Sequence, residues 1–245
     1  MEVQRELKIS NRIDWIKFLE SISKINESTI LTLSEGKTGL LTSLVSSADN
    51  TLILYGEISG VDANYNGTLN IPDLKKLIRV VDSLDTQDLS LTINNNNVEY
   101  RGKSLKFKYH LYEDGFLSKP AINVEKIKSF NYDINFILKK EQISSIIKGS
   151  TFATETNKLY LYTQDGRLKG ELTDRARHNT DVFALDLGEV DFTLSPLPIN
   201  FDNIKLLSFI GEDIKFGINT EYGVTIIDIS NNSIKLKYII TSLTQ

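Results

Sequence analysis

Few residues in this chain of 245 have the types and the spacing that catalysis or metal binding requires. Cysteine is absent from the sequence, which excludes disulfides, thiol nucleophiles and cysteine-ligated metals. The two histidines, His110 and His178, lie far apart in the chain, so a multi-histidine metal site is not expected. The sequence therefore predicts a protein that is not an enzyme and that needs neither a cofactor nor a metal ion.

Two short segments resemble parts of nucleotide-binding or catalytic motifs but lack the other residues that such motifs require. Gly36-Lys37-Thr38 looks like the end of a phosphate-binding loop, but Leu31 stands where that loop needs its first glycine. The segment 174–181 groups His178 with two aspartates and two arginines. A lone histidine in such a segment indicates a polar surface loop, with an acid–base site or a subunit interface as the alternatives.

Helical periodicity is confined to four segments, at about 11–23, 72–84, 140–148 and 201–210. Most of the remaining chain has the alternating, β-branched and aromatic pattern of short strands. The helices begin near residues 11, 72, 140 and 201, at intervals of about 61, 68 and 61 residues. This regular spacing predicts an internal repeat, and the composition predicts the α+β class.

Each predicted helix follows one strand and precedes several more. The four lead-in strands are expected at 6–9, 68–71, 135–138 and 191–194. The longer middle interval contains 112–128, which we interpret as a connector between domains 1–111 and 129–245, each holding two strand–helix–strands repeats. An ordinary long loop inside one domain is the alternative for 112–128.

The predicted helices have apolar faces that should pack on the sheets. These faces are formed by Trp15, Ile16, Leu19 and Ile22, by Leu74, Leu77, Ile78 and Val81, by Ile143, Ile146 and Ile147, and by Ile204, Leu207 and Ile210.

Positive charge is concentrated on the helices. Residues 11–24, 72–81, 139–148 and 201–210 together carry a net charge of +5, whereas the whole chain carries −4, so the remainder carries −9. If the four helices share a surface, that surface attracts phosphate groups while the rest repels them. The alternative is that each lysine is simply a solvated side chain.

The repeat and this charge distribution resemble the sliding DNA clamps, the processivity factors of DNA polymerases. The segments Leu52-Ile-Leu-Tyr-Gly-Glu-Ile-Ser and Leu74-Lys-Lys-Leu-Ile, the Asn-rich hairpins and the size look most like the trimeric clamps of large tailed bacteriophages. The resemblance covers essentially the whole chain. It implies the DNA clamp fold, in which three two-domain subunits form a ring, with the helices lining the hole and the sheets outside.

The resemblance also implies what the ring binds. It would encircle double-stranded DNA without reading sequence, be opened by a clamp loader ATPase, and tether the DNA polymerase and other replication or transcription partners. The DNA-facing residues expected from the helix faces are Arg12, Lys17, Lys75, Lys76, Arg79, Lys139, Lys140, Lys148 and Lys205. A pocket for a partner peptide is expected at Phe116, Leu117, Pro120, Ile122, Tyr238, Ile239 and Ile240.

Membrane association is not expected, because the longest apolar runs fall short of the ~20 residues that a membrane-spanning helix needs. The charged start of the sequence lacks a signal-peptide core, so we expect a cytoplasmic protein, in the host cytoplasm if it is viral. A non-enzymatic β-rich viral structural protein remains the alternative function, although four evenly spaced helices with a common basic face would not be required of one.

Overall fold

The structure is a computed structural model that describes residues 5–243, with the side chains of residues 36–38 left undescribed. It contains five helices within those residues: α1 (Arg12–Ser23), α2 (Leu74–Asp82), α3 (Val124–Lys128), α4 (Lys140–Gly149) and α5 (Phe201–Lys205). The strands of the first half are β1 (Arg5–Ile9), β2 (Thr29–Leu33), β3 (Gly36–Ser46), β4 (Leu52–Ala63), β5 (Gly67–Ile71), β6 (Leu89–Asn94), β7 (Asn97–Arg101) and β8 (Lys106–His110). Those of the second half are β9 (Ile134–Lys139), β10 (Lys158–Gln164), β11 (Arg167–Leu172), β12 (Phe183–Glu189), β13 (Leu197–Asn200), β14 (Asp213–Asn219), β15 (Val224–Ser230) and β16 (Ile234–Thr241).

The chain is a fourfold repeat of one strand, one helix and three strands. The repeats begin at β1, β5, β9 and β13, and α3 lies between the second and the third. The predicted repeat is therefore present along the described chain.

The lead-in strand of each repeat pairs with a strand of the neighbouring repeat. β1 pairs with β6 and β5 pairs with β2, while β9 pairs with β14 and β13 pairs with β10, all antiparallel. Two repeats thus exchange their first strands, and neither could complete its sheet alone. This exchange makes a pair of repeats the smallest folding unit.

The chain accordingly divides into two compact units. The first contains the described residues up to Ser129 together with Ser230–Leu236, and the second contains Phe130–Ile229 and the described residues from Lys237 onward. The segment that begins β16 is part of the first unit, where the Ser59 N–H donates to the Ser233 carbonyl at 2.9 Å.

The predicted helices α1, α2 and α4 are confirmed, but the fourth is shorter than expected. α5 ends at Lys205 instead of continuing to residue 210. The Ser208 N–H donates to the Tyr238 hydroxyl at 3.1 Å, so it is not available to extend the helix. α3 was not predicted: it has five residues, of which only Ile127 is buried, too few to produce a periodic pattern.

Three of the four expected lead-in strands are confirmed, and the one at 191–194 is wrong. The fourth lead-in strand is β13, which includes Pro198 opposite Tyr160. Proline lacks an N–H and is rare in strands except at an edge, so the sequence around Pro198 did not predict a strand. Leu194 instead exchanges hydrogen bonds with Thr163, at 3.0 Å to its backbone N–H and 2.8 Å to its hydroxyl.

The helices pack with the apolar faces expected for them. Trp15, Leu19 and Ile22 are at most 1% exposed on α1, as is Phe18, which lay outside the predicted face. Four of the expected core residues are only partly buried: Ile16, Ile78, Ile147 and Ile210.

Gly149 ends α4 where the helix lies against β12. A Cβ atom at this position would lie 2.1 Å from the Phe183 ring, closer than any real carbon contact. The absence of a side chain at Gly149 therefore allows α4 to approach the sheet of the second unit.

We predict that Gly149→Ala lowers the free energy of unfolding by about 1–3 kcal/mol, because Phe183 or the helix must move. The measurement is urea denaturation followed by circular dichroism. Ser145→Ala, on the same helix, is the control and should change stability by less than about 0.5 kcal/mol. Equal stability of Gly149→Ala and the wild type would contradict the close packing.

Candidate nucleic-acid interface and partner surface

The exposed face of α2 carries three basic residues within five positions. The helix begins at the N-cap Asp73, whose side chain accepts from the Lys76 N–H at 2.8 Å. Its apolar stripe is buried, which leaves Lys75, Lys76 and Arg79 exposed. Lys75 forms an ion pair with Glu27 at 3.0 Å, in which both side chains are more than half exposed. Such an exposed pair is worth little and is easily exchanged for a phosphate.

Arg12, also expected to face DNA, instead joins α1 to the end of α2. Its guanidinium donates to the carbonyls of Thr86 at 2.8 Å, Val81 at 3.1 Å and Asp82 at 2.8 Å. The side chain is only 18% exposed. A cation at these carbonyls adds a charged donor just beyond the last turn of α2 and complements the helix dipole. Lys17 lies on the exposed face of α1 and is a better candidate for phosphate contact.

In the second unit, α4 supplies the basic surface. Lys148 is exposed and Lys140 is half-buried on this helix, whose apolar face is formed by Ile143 and Ile146. Lys139 precedes the helix at the end of β9, where its ammonium group forms an ion pair with Asp213. That hydrogen bond raises the pKa of Lys139 and holds its charge beside a carboxylate.

The contribution of α5 is small. Lys205 is the basic residue of this helix, and Asp202, 2.8 Å from it, leaves the helix without net charge; the Lys205 ammonium also lies 4.7 Å from the centre of the Phe201 ring. Among the four helices expected to carry the basic face, the exposed positive charge is therefore on α1, α2 and α4.

The connector predicted at 112–128 is fixed to the first unit at both ends. At its start, the Tyr112 N–H donates to the Asn70 carbonyl at 3.0 Å, and the Asn70 amide donates to Asp114 at 2.8 Å. At its end, Ile127 of α3 is fully buried and Lys128 forms a 2.8 Å ion pair with Glu57.

Tyr55 strengthens this second attachment. Its hydroxyl donates to Glu57 at 2.6 Å, and the Lys128 ammonium lies 5.2 Å from the centre of its ring. Burial, followed by the hydrogen bond to Glu57, raises the pKa of Tyr55 to about 12, so the phenol stays protonated near neutral pH.

A groove of about 370 Å³ lies between the middle of the connector and the first unit. Phe116, Leu117 and Pro120 line it from the connector side, as predicted for a partner pocket, and Phe116 is 71% exposed. The opposite wall, which includes Ile30 and Val45, was not anticipated. The sequence offers no signal for it, because those residues read as ordinary strand residues.

The other residues expected in the pocket do not belong to this groove. Tyr238, Ile239 and Ile240 are at most 5% exposed on β16, and among the described residues they are not part of the groove lining. The Tyr238 hydroxyl accepts from Ser208, and burial raises its pKa to about 12. Ile122 is half-buried and likewise outside the lining.

The polar segment 174–181 is an ordered loop between β11 and β12. Asp174 accepts from Lys158 at 2.9 Å, which lowers its pKa, and Arg175 lies 4.7 Å and 4.6 Å over the rings of Tyr160 and Tyr162. His178 is exposed. Among residues 5–243 there is no cluster of three His, Asp or Glu side chains that could hold a metal ion.

One other sequence motif can be placed. Residues 36–38, which look like part of a phosphate-binding loop, begin strand β3, and their side chains lie outside the described part of the structure. None of the helices within residues 5–243 is long and apolar enough to cross a membrane.

Comparison with known proteins identifies the fold. No family model matches the sequence, and no curated protein is significantly similar to it. Among solved structures, the proliferating cellular nuclear antigen of Entamoeba histolytica matches with a TM-score of 0.76 at 11% identity, over 98% of this chain and 99% of that one. The chain has the DNA clamp fold.

Two further structures support this assignment. The Helicobacter pylori beta clamp matches with a TM-score of 0.76 at 11% identity, over 100% of this chain and 67% of that one. The structure of A. fulgidus PCNA, to which the C-terminal region of FEN-1 is bound, matches with a TM-score of 0.70 at 12% identity, over 98% of this chain and 99% of that one. The predicted α+β class with two similar domains is thus confirmed.

We predict that Arg12→Ala lowers the free energy of unfolding by about 2 kcal/mol, because three carbonyls lose a charged hydrogen-bond donor. Lys17→Ala, on the same helix, should change it by less than about 0.5 kcal/mol. Urea denaturation of both variants makes the comparison. If the two substitutions lower the free energy of unfolding equally, Arg12 has no structural role beyond that of Lys17.

Proposed function

We propose that this chain is the subunit of a sliding clamp, a ring that encircles duplex DNA and tethers a DNA polymerase and other replication or transcription proteins. The observation that carries the proposal is the exposed basic face of α2 and α4 on a chain with the clamp fold. The protein itself would perform no catalysis. A separate clamp loader ATPase would open the ring.

The basic helices suit a sliding contact. Lys17, Lys75, Lys76, Arg79 and Lys148 are exposed and flexible, and they can meet phosphates at many positions without contacting bases. Their number is modest, which favours weak binding, and the acidic remainder of the chain discourages DNA from binding elsewhere. Encirclement would hold the ring on DNA while the helices only centre the duplex.

Ring closure needs two strand edges that fit each other, and β8 and β12 provide them. Each lies at the end of a sheet and has one partner strand among the described residues, β7 and β11 respectively. β8 has three basic residues on its exposed face, Lys106, Lys108 and His110. Of the edge strands in the described structure, β12 alone carries acidic side chains, Asp186 and Glu189. Both pair with Arg167 of β11, and Asp186 also pairs with Lys169, so β8 would share these carboxylates with β11.

The side-chain alternation of the two strands also matches. Tyr109 is the buried position of β8 and Leu187 that of β12, so odd-numbered residues face inward in β8 and in the first part of β12. A bulge after Asp186 shifts the register and puts Glu189 on the outer face with Asp186. In an antiparallel pair with the inward faces together, Asp186 lies opposite an even-numbered residue of β8, which is basic at all three positions. Pairing would also remove two exposed strand edges.

Three copies of two units would give a six-unit ring of the type formed by clamps of large tailed bacteriophages. In such a ring the groove beneath Phe116, Leu117 and Pro120 would receive a hydrophobic peptide of the polymerase or of another partner. The connector is already fixed at both ends, so the groove needs little ordering before a peptide binds.

We predict an assembled mass near three times 27.7 kDa, measured by size-exclusion chromatography with light scattering at micromolar concentration. Edge pairing at three equivalent junctions closes the ring and stops growth at the trimer. A monomer that persists at high concentration would exclude the ring.

We predict that reversing Lys75, Lys76 and Arg79 to Glu lowers the affinity for linear duplex DNA by about tenfold or more at low salt, because phosphate contacts become repulsive. Fluorescence anisotropy with a labelled duplex is the measurement, and circular dichroism should show an unchanged fold.

The matched control reverses three exposed lysines elsewhere on the chain, Lys103, Lys126 and Lys215. It changes the net charge equally, so it should lower the affinity much less. Equal losses in the two triple variants would show that net charge matters rather than the helix face, and would contradict the assignment of α2 to DNA contact.

A further inference from the structure

The loop between β11 and β12, residues 173–182, is the longest of four equivalent loops. The last two strands of the other repeats are joined by residues 47–51, 102–105 and 231–233. The third repeat therefore carries additional residues at the start of β12, the strand that we assign to ring closure.

These additional residues are held in place by the sheet beneath them. Asp174 is bound by Lys158 at 2.9 Å and by Arg177 at 3.3 Å, and Arg175 pairs with Glu171 at 2.8 Å. The Thr180 hydroxyl donates to the Asp174 carbonyl at 3.1 Å. A loop with this many internal contacts presents its outer side chains in a defined arrangement.

Two side chains of the loop are more than half exposed and could contact another chain. Val182, the last residue before β12, is 54% exposed, and the side chain of Arg177 is 66% exposed. An exposed valine beside an open strand edge is the type of surface that a neighbouring chain covers.

The end of β8 presents the complementary groups. Tyr112 follows the strand by two residues and is 46% exposed. The exposed carboxylates of Glu113 and Asp114 come next. Because antiparallel strands run in opposite directions, pairing β8 of one copy with β12 of another brings the end of β8 to the start of β12. Tyr112 then lies near Val182, and the two carboxylates lie near Arg177.

We propose that loop 173–182 is a clip between subunits, which contacts residues 112–114 of the next copy of this chain. Val182 packs on Tyr112, and the guanidinium of Arg177 donates to Glu113 and Asp114. The clip rests on the ring assembly proposed above and extends each junction beyond its paired strands. It predicts that the dissociation of the ring depends on residues outside the sheet.

The experiment is a charge exchange measured by mass photometry over a dilution series. Arg177→Glu and Glu113→Lys should each raise the concentration of half-dissociation by about tenfold, because each places like charges together. The double variant restores the pair and should return to within about threefold of the wild type. Lys126→Glu, an exposed charge reversal on α3, is the control and should have no effect.

The outcomes separate the clip from the ring. A wild-type chain that never assembles overturns both. A wild-type ring that dissociates at the same concentration as both single variants overturns the clip alone. If Arg177→Glu weakens the ring but Glu113→Lys does not, and the double variant stays weak, then Arg177 acts only within its own loop and the clip is wrong.

Discussion

The exchange of lead-in strands between neighbouring repeats is the constraint on which the rest of this structure depends. β1 and β5 each complete a sheet that belongs mainly to the other repeat of the first unit, and β9 and β13 do the same in the second. A helix follows each lead-in strand directly, so the hydrogen bonds that fix the strand also fix where the helix starts. In the first unit, α1 and α2 consequently pack side by side, and Arg12 of α1 donates a hydrogen bond to the Val81 carbonyl in the last turn of α2.

The placement of charge follows from that constraint. Helices that bury an apolar stripe against a sheet must expose the opposite stripe, and on α2 and α4 that stripe carries lysines. The sheets leave β8 and β12 open, with basic side chains on β8 and, on β12, two carboxylates that pair with cations of β11. The proposed ring requires both properties together: edges that close it, and helices that face whatever passes through it.

The sequence predicted the features that arise from local patterns. The apolar stripe of Leu74, Leu77 and Val81 identified α2. It failed where a distant residue decides the outcome. The Tyr238 hydroxyl binds the Ser208 N–H just beyond the end of α5, and the strand at Leu197–Asn200 accommodates Pro198 because it lies at the edge of its sheet.

The same distinction applies to the candidate site. Helical periodicity was enough to predict that the basic residues on α2 are exposed. The structural role of Arg12 depends on carbonyls about 70 positions away in the chain, and no local pattern reveals them. The connector side of the groove was visible as the apolar residues Phe116, Leu117 and Pro120. Its other wall, and the burial of Tyr238–Ile240, are consequences of tertiary packing.

Encirclement is the central claim, and covalent closure of the ring on DNA tests it most directly. Because the chain has no cysteine, Lys108→Cys and Asp186→Cys introduce the only two thiols of each subunit. Subunits of this variant are assembled from dilute solution around a circular duplex and then cross-linked with a bis-maleimide. The account predicts that the cross-linked protein stays with the circle in denaturing detergent and is released when the circle is cut. A cross-linked protein that separates from the intact circle as readily as from linear DNA would contradict it.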